Sequence, residues 1–272
     1  MKKYRKLFKA IFGIALAGCI YFIVPSQKYI AINTDYLHGF DNCDISKNLE
    51  IPKLQEGIPN KIIIRTGYTT SYNCGTKNPN WVAWCLTKEH INGRARRSKE
   101  KFTADEDVMS PKADTYDYSR TGFDRGHMCP AGDNKWSNKA MKQSFLMTNI
   151  CPQNKGLNRG SWNEIEQLCR KWAKKYGKLY IACGPIYFHG YHRKIGTHKI
   201  WVPDAFFKCI LCLENKPKAI GFICKNEDGK HKKNVSLPVD DVERITGIDF
   251  FSNLPDELEN RIEKTANLRE WK

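Results

Sequence analysis

Acidic residues are scarce in this chain of 272 residues: 29 Asp and Glu stand against 45 Lys and Arg, a formal charge of +16. The excess persists without Lys2, Lys3, Arg5, Lys6 and Lys9 at the extreme terminus. It therefore belongs to the body and favours a polyanionic partner, nucleic acid or an anionic membrane. Internal repeats and low-complexity tracts are absent, which excludes solenoids and propellers. Gly67 and Gly75 do not form a phosphate-cradling loop, so nucleotide binding of the P-loop kind is excluded. Cys209 and Cys212 have zinc or redox spacing but lack a second pair at ribbon spacing. They lie in an apolar run and read as part of a strand.

What is present begins with a targeting pattern. A basic start is followed by an apolar run from Leu7 to Val24, broken only by Lys9 and ended by Pro25. Leu16-Ala17-Gly18-Cys19 resembles the lipobox of bacterial lipoproteins, although the apolar residues after Cys19 depart from it. Three outcomes fit: a cleaved signal peptide, a lipid anchor or an uncleaved membrane anchor, the two anchors ranking ahead of clean secretion. All three imply export, to the cell envelope or beyond. Beyond Cys19 there are ten cysteines, an even number that, with export, favours disulfides in an oxidising compartment.

Residues 1–24 thus form the leader, 25–59 a polar linker or arm, and 60–272 the folded domain. Strands are predicted at Lys61 to Tyr68, Trp81 to Leu86, Ser144 to Ile150, Lys178 to Cys183, Lys199 to Val202, Ala205 to Leu213 and Ala219 to Cys224, with turns at Tyr72 to Thr76. The basic stretch from Glu89 to Lys101 reads as an exposed loop or hairpin. Helices are predicted from Val239 to Thr246 and from Pro255 to Ala266. The fold class is α+β.

Asp124-Arg125-Gly126-His127 is followed by Asn149, Pro152, Gln153, Asn158, Trp162, Glu166 and Arg170. A histidine can act as general base near neutral pH, an amide and a carboxylate can hold a hard divalent cation, and a guanidinium meets phosphate oxygens bidentately. A helix starting near Asn154 would put Asn158, Trp162, Glu166 and Arg170 on one stripe; a capping box at Ser161 offers a later start. With the early start, Asn158 and Glu166 differ by about 80° in direction and about 12 Å in rise. One would then bind the metal directly and the other its water. Trp162 reads as core packing, and His189, His192 and His198 as a surface loop.

These residues resemble the DNA/RNA non-specific endonucleases, which include mitochondrial endonuclease G. The likeness runs from about Ile63 to Phe251 and rests on Asp-Arg-Gly-His with Pro130-Ala131, then on the Asn-x-x-Pro-Gln-x4-Asn-x3-Trp-x3-Glu series from Asn149. It implies a ββα-metal (His-Me finger) core with a mostly antiparallel sheet flanked by helices. It also implies magnesium, or manganese in its place, and hydrolysis of DNA and RNA. By this resemblance His127 is the general base, Asn158 the metal ligand and Glu166 the residue that orients metal-bound water. Asp124 supports that network and Arg125 contacts phosphate. Arg97, with Arg96 as competitor, stabilises the transition state, and either is equally readable as part of a solvated basic loop. Asn149 and Gln153 position the loop or the scissile strand, or simply bond the turn. Arg170 contributes to substrate binding or pairs with Glu166. Contacts to phosphate, sugar and metal carry no base information. The alternatives are a non-catalytic envelope receptor for nucleic acid and a phosphodiesterase of narrow substrate range. Oligomeric state is not legible.

Overall fold

The structure, a computed structural model, describes residues 48–228 and 235–272. The expected leader, and the arm up to residue 47, lie outside the described residues. The elements in chain order are β1 (Lys61–Ile64), β2 (Thr69–Asn73), β3 (Asn78–Thr87), α1 (Lys88–Asn92), β4 (Phe123–His127), α2 (Asn138–Gln143), β5 (Ile150–Asn154), α3 (Lys155–Arg159), α4 (Ser161–Tyr176), β6 (Lys178–Ile186), β7 (Lys194–Ile195), β8 (Ile200–Trp201), β9 (Ala205–Cys212), β10 (Lys218–Lys225), β11 (Ser236–Leu237), α5 (Val239–Thr246) and α6 (Asp256–Glu263).

Seven strands form one sheet in the order β1-β2-β3-β6-β9-β10-β11, and every pairing in it is antiparallel. Side chains alternate across a strand, and β9 shows the consequence. Phe206, Ile210 and Cys212 enter one core with Trp162, Ile165 and Trp172 of α4. Ala205, Phe207, Cys209 and Leu211 enter the other with Val239 and Val242 of α5 and Ile262 of α6. Covering both faces explains why β9 is buried at every position and reads as a nearly continuous apolar run. The expected α+β architecture with a mostly antiparallel sheet is the one found.

Several expectations are corrected. The turn expected from Tyr72 onward begins later, because Tyr72 and Asn73 belong to β2 and Tyr72 is buried. The strand expected at Ser144 to Ile150 is a short 3-10 turn, Met147–Asn149, and β5 starts where that strand was to end. The cause is Asn149, whose Nδ2 donates to the carbonyls of Ser144 and Cys129 and folds the chain back. The basic stretch after β3 opens with α1, capped by Thr87, and includes a 3-10 turn at Arg97–Lys99. Leu49 is buried in the second core and Lys53 pairs with Asp249, so the packed body reaches back ahead of residue 60. Both helix starts weighed near the motif exist, as two helices. Asn154 caps α3 by accepting from Gly156 N, the chain breaks at Gly160, and α4 follows. A Cβ at Gly160 would lie 2.6 Å from the Gly156 carbonyl. The stripe is therefore interrupted, and the separation worked out for one continuous helix does not apply. The expected disulfide framework is cut back: among the described residues Cys85 is disulfide-bonded, whereas Cys74, Cys129, Cys151, Cys169, Cys183, Cys209 and Cys212 are thiols.

The C-terminus holds α4 in place. Trp271 packs on Trp172 with ring centroids 4.5 Å apart and meets Tyr176 edge-on. Trp271→Ala is expected to cost about 3–5 kcal/mol, seen as a lower denaturation midpoint in urea, because the helix that carries Glu166 and Arg170 loses its outer packing.

Candidate active site

β4 and β5 pair antiparallel, with Asp124 opposite Gln153, Gly126 opposite Cys151 and His127 opposite Ile150. α3 follows β5 without a loop, so strand, strand and helix form one compact unit. Gly126 permits the close approach: a Cβ there would sit 2.0 Å from Gln153 Oε1. Asn149 braces the far end, accepting from Cys129 N while donating to Cys129 O and Ser144 O, each at 2.8 Å.

His127 ends β4 and is 7% exposed. Phe102 and Phe145 flank its ring, with centroids 5.2 and 4.9 Å away, and its Nε2 is buried without a hydrogen-bond partner. Trp162 donates to the His127 carbonyl at 3.2 Å and is fully buried, so it is a core residue that also fixes the backbone of the histidine. Burial, and after it the charge of Arg97, push the imidazole down to about 3. The ring is neutral at pH 7 and open to a proton. An arriving phosphate would offset Arg97 and raise its basicity.

Asn158 lies on α3 and donates from Nδ2 to Asp124 Oδ2 at 3.1 Å. Arg159 clamps the same carboxylate from outside, Nε to Oδ2 at 3.0 Å. With its nitrogen engaged, the Asn158 amide keeps Oδ1 for another partner. Glu166, from the second turn of α4, lines the same cleft. Burial raises its carboxyl to about 7 against the pull of Lys208 and Arg170. An amide oxygen and a carboxylate suit a hard, oxygen-seeking cation. Arg97 and Arg125 complete the wall. Arg97 stands over the Phe145 ring, whereas Arg96 is not among the residues lining the cleft. Arg125 donates to Thr115 O at 2.7 Å and lies between the rings of Phe102 and Tyr118. The cleft has a volume of about 660 Å³, and Arg97, Arg125, Lys135, Arg159 and Arg170 in its lining outnumber Asp124 and Glu166.

Seven of the nine residues singled out by the sequence meet in this cleft: His127, Arg97, Asp124, Arg125, Asn158, Glu166 and Arg170. Asn149 and Gln153 do not. Both have no exposed surface, so direct substrate binding is corrected for each: Asn149 spends its side chain on the loop and Gln153 packs on Gly126. Arg170 bonds chiefly to Asp133, Nη1 to Oδ1 at 2.9 Å, and stands 3.8 Å from Glu166. Asp133 also accepts from Trp84 Nε1. His198 is held by Asp117 at 2.9 Å and is a structural contact.

Sequence reasoning missed Asp133 and Lys208. Lys208 is fully buried in the middle of β9, with its ammonium 4.4 Å from the centroid of Trp162 and no hydrogen-bond acceptor. Burial works against its charge, yet Cys183, Glu166, Cys169 and Asp133 around it hold its pKa above the ordinary lysine value. The signal was a lone lysine at the site-facing phase of an apolar strand.

A ββα unit presenting a neutral histidine, oxygen donors and a basic wall in one cleft defines a metal-assisted phosphodiester hydrolase. The chain belongs to the DNA/RNA non-specific endonuclease family, whose model matches residues 45–257. It is 33% identical over 225 residues to the Schizosaccharomyces pombe protein named Nuclease 1, mitochondrial, covering 74% of this chain and 70% of that one. It is 30% identical to the Bos taurus protein named Endonuclease G, mitochondrial, covering 70% and 69%. To the Homo sapiens protein named Nuclease EXOG, mitochondrial, it is 32% identical over 70% of this chain and 56% of that one. The crystal structure of the EndoG/EndoGI complex superposes with a TM-score of 0.69 at 28% identity, covering 73% of this chain and 89% of that one. The protein is thus a hydrolytic, metal-dependent endonuclease of this family, and a role as receptor alone falls away. The expectation of export to an envelope or medium is overturned by the relatives, which are named as mitochondrial. Among the described residues no helix is long and apolar enough to cross a membrane.

Two outcomes follow from the electrostatics. Unfolded histidine protonates near 6.5, whereas His127 in the fold resists protonation until about 3. Between those values the unfolded state binds more protons, so stability falls as pH drops through that window. His127→Asn should flatten the decline in thermal midpoint between pH 6.5 and 4. Lys208→Met removes a buried countercharge at a cost of about 3–5 kcal/mol. By freeing Glu166 to rise further, it should move the acid limb of the pH–rate profile to higher pH.

Proposed function

We propose that this protein cleaves phosphodiester bonds of DNA and RNA without sequence or sugar specificity, using magnesium or manganese. His127 takes the proton of the attacking water. Its neutrality at pH 7 and its unpartnered buried nitrogen support that role. Asn158, oriented by Asp124, would hold the metal through Oδ1, and Glu166 would orient water beside it. The metal, when bound, would supply positive charge that offsets the negative charge developing on the phosphodiester. Arg125 holds the phosphate and Arg97 offsets the extra charge of the pentacovalent state. Arg170 acts behind Glu166, through Asp133 and the carboxylate itself.

The observation that carries this reading is that His127, Asn158, Glu166, Arg97 and Arg125 line one cleft. The residues lining it recognise phosphate, sugar and metal, so sequence goes unread. For location, the relatives' mitochondrial names point to the mitochondrion.

Purified protein should degrade both supercoiled plasmid and single-stranded RNA with magnesium, and neither with chelator. His127→Ala should lower the rate by about 10²–10⁴-fold, and activity should fall steeply with added salt. Cleavage of only one of the two polymers, or full activity in His127→Ala, would refute the proposal.

A further inference from the structure

On the face of the sheet away from the cleft, three carboxylates converge. Asp240 and Glu243 project from α5, one turn apart, and Glu263 is the last residue of α6; their ligand atoms all lie within 4.8 Å of one another. Glu263 is 3% exposed, and its Oε1 is buried without a hydrogen-bond partner. Glu243 Oε1 accepts from Phe250 N at 2.7 Å, which fixes that side chain. Among the described residues no Lys or Arg forms an ion pair with any of the three. Such a gathering of negative charge is unexpected in a chain of net charge +16.

An unpartnered buried carboxylate is costly unless something positive meets it. From these positions we infer that Asp240, Glu243 and Glu263 form a second cation site, structural in role and suited to calcium, that pins α5 to α6. Ligand number argues for calcium, which accepts several carboxylates in a flexible geometry, whereas magnesium keeps most of its water and takes one or two carboxylates. Three carboxylates leave room for water in the remaining positions. Burial and the neighbouring Glu243, Glu259, Asp240 and Asp249 push Glu263 up to about 9, the mark of a cluster that cannot carry its charges unaided. Calcium here would not touch substrate, since α5 and α6 pack in the second core and the cleft lies over the first.

The test uses the full-length, chelator-treated protein carrying Asn158→Ala, so that metal in the cleft does not contribute, and reads thermal unfolding. Calcium at about 100-fold above its dissociation constant should raise the midpoint by about 5–10 °C. Magnesium should raise it less. Adding Glu263→Gln should abolish the calcium shift, and Asp240→Asn, at a half-exposed position, should do the same if the buried variant folds poorly. No calcium shift in the parent, or a shift that survives both substitutions, overturns the site. The readout does not depend on nuclease activity, so its failure leaves the proposed function standing.

Discussion

The hydrogen bond from Asn158 Nδ2 to Asp124 Oδ2, at 3.1 Å, joins the two halves of the active site. Asp124 comes from the strand that ends in His127, and Asn158 from the helix that follows the opposing strand. An asparagine amide rotates easily about its last torsion, so an unrestrained Asn158 would offer a cation its oxygen or its nitrogen. Asp124 removes the choice by taking the nitrogen. The carboxylate is in turn held by Arg159 at 3.0 Å, and the geometry of the candidate metal position follows from this chain of contacts.

Beneath the cleft lies a second set of charges that no solvent reaches freely. Arg170 bonds to Asp133, and Lys208 sits between the faces of Trp84 and Trp162. Glu166 faces Lys208 and Arg170 from the helix above, and its raised pKa reflects burial that those cations only partly offset. The arrangement is fixed before any ligand arrives, so little reorganisation is needed when charge develops on a phosphate.

Much of this was legible in the sequence because the motif residues are close along the chain and their chemistry is distinctive. The α+β class, the helix from Val239 to Thr246 and the grouping of His127 with Asn158, Glu166 and Arg97 all followed from pattern and resemblance. What was illegible depended on distant contacts. The break at Gly160 follows from the Gly156 carbonyl, which leaves no room for a side chain. Asn149 was placed at the substrate although its three hydrogen bonds all go to backbone. Lys208 could be assigned to the cleft side only once β9 was known to be covered on both faces. The cysteine count pointed to a disulfide framework and an oxidising compartment, but parity says nothing of distance: among the described residues Cys85 is disulfide-bonded while the buried Cys129, Cys151, Cys169, Cys183, Cys209 and Cys212 are thiols, and the relatives are mitochondrial by name.

The central claim is that Asp124 prepares Asn158 to bind the catalytic metal. Calorimetric titration of magnesium into the substrate-free protein and into Asp124→Ala tests it most directly. A loss of affinity of about 10–100-fold in the variant, with the fold intact by circular dichroism, is the predicted result, as for other groups that orient a metal ligand. Equal affinity in the two proteins would contradict the account.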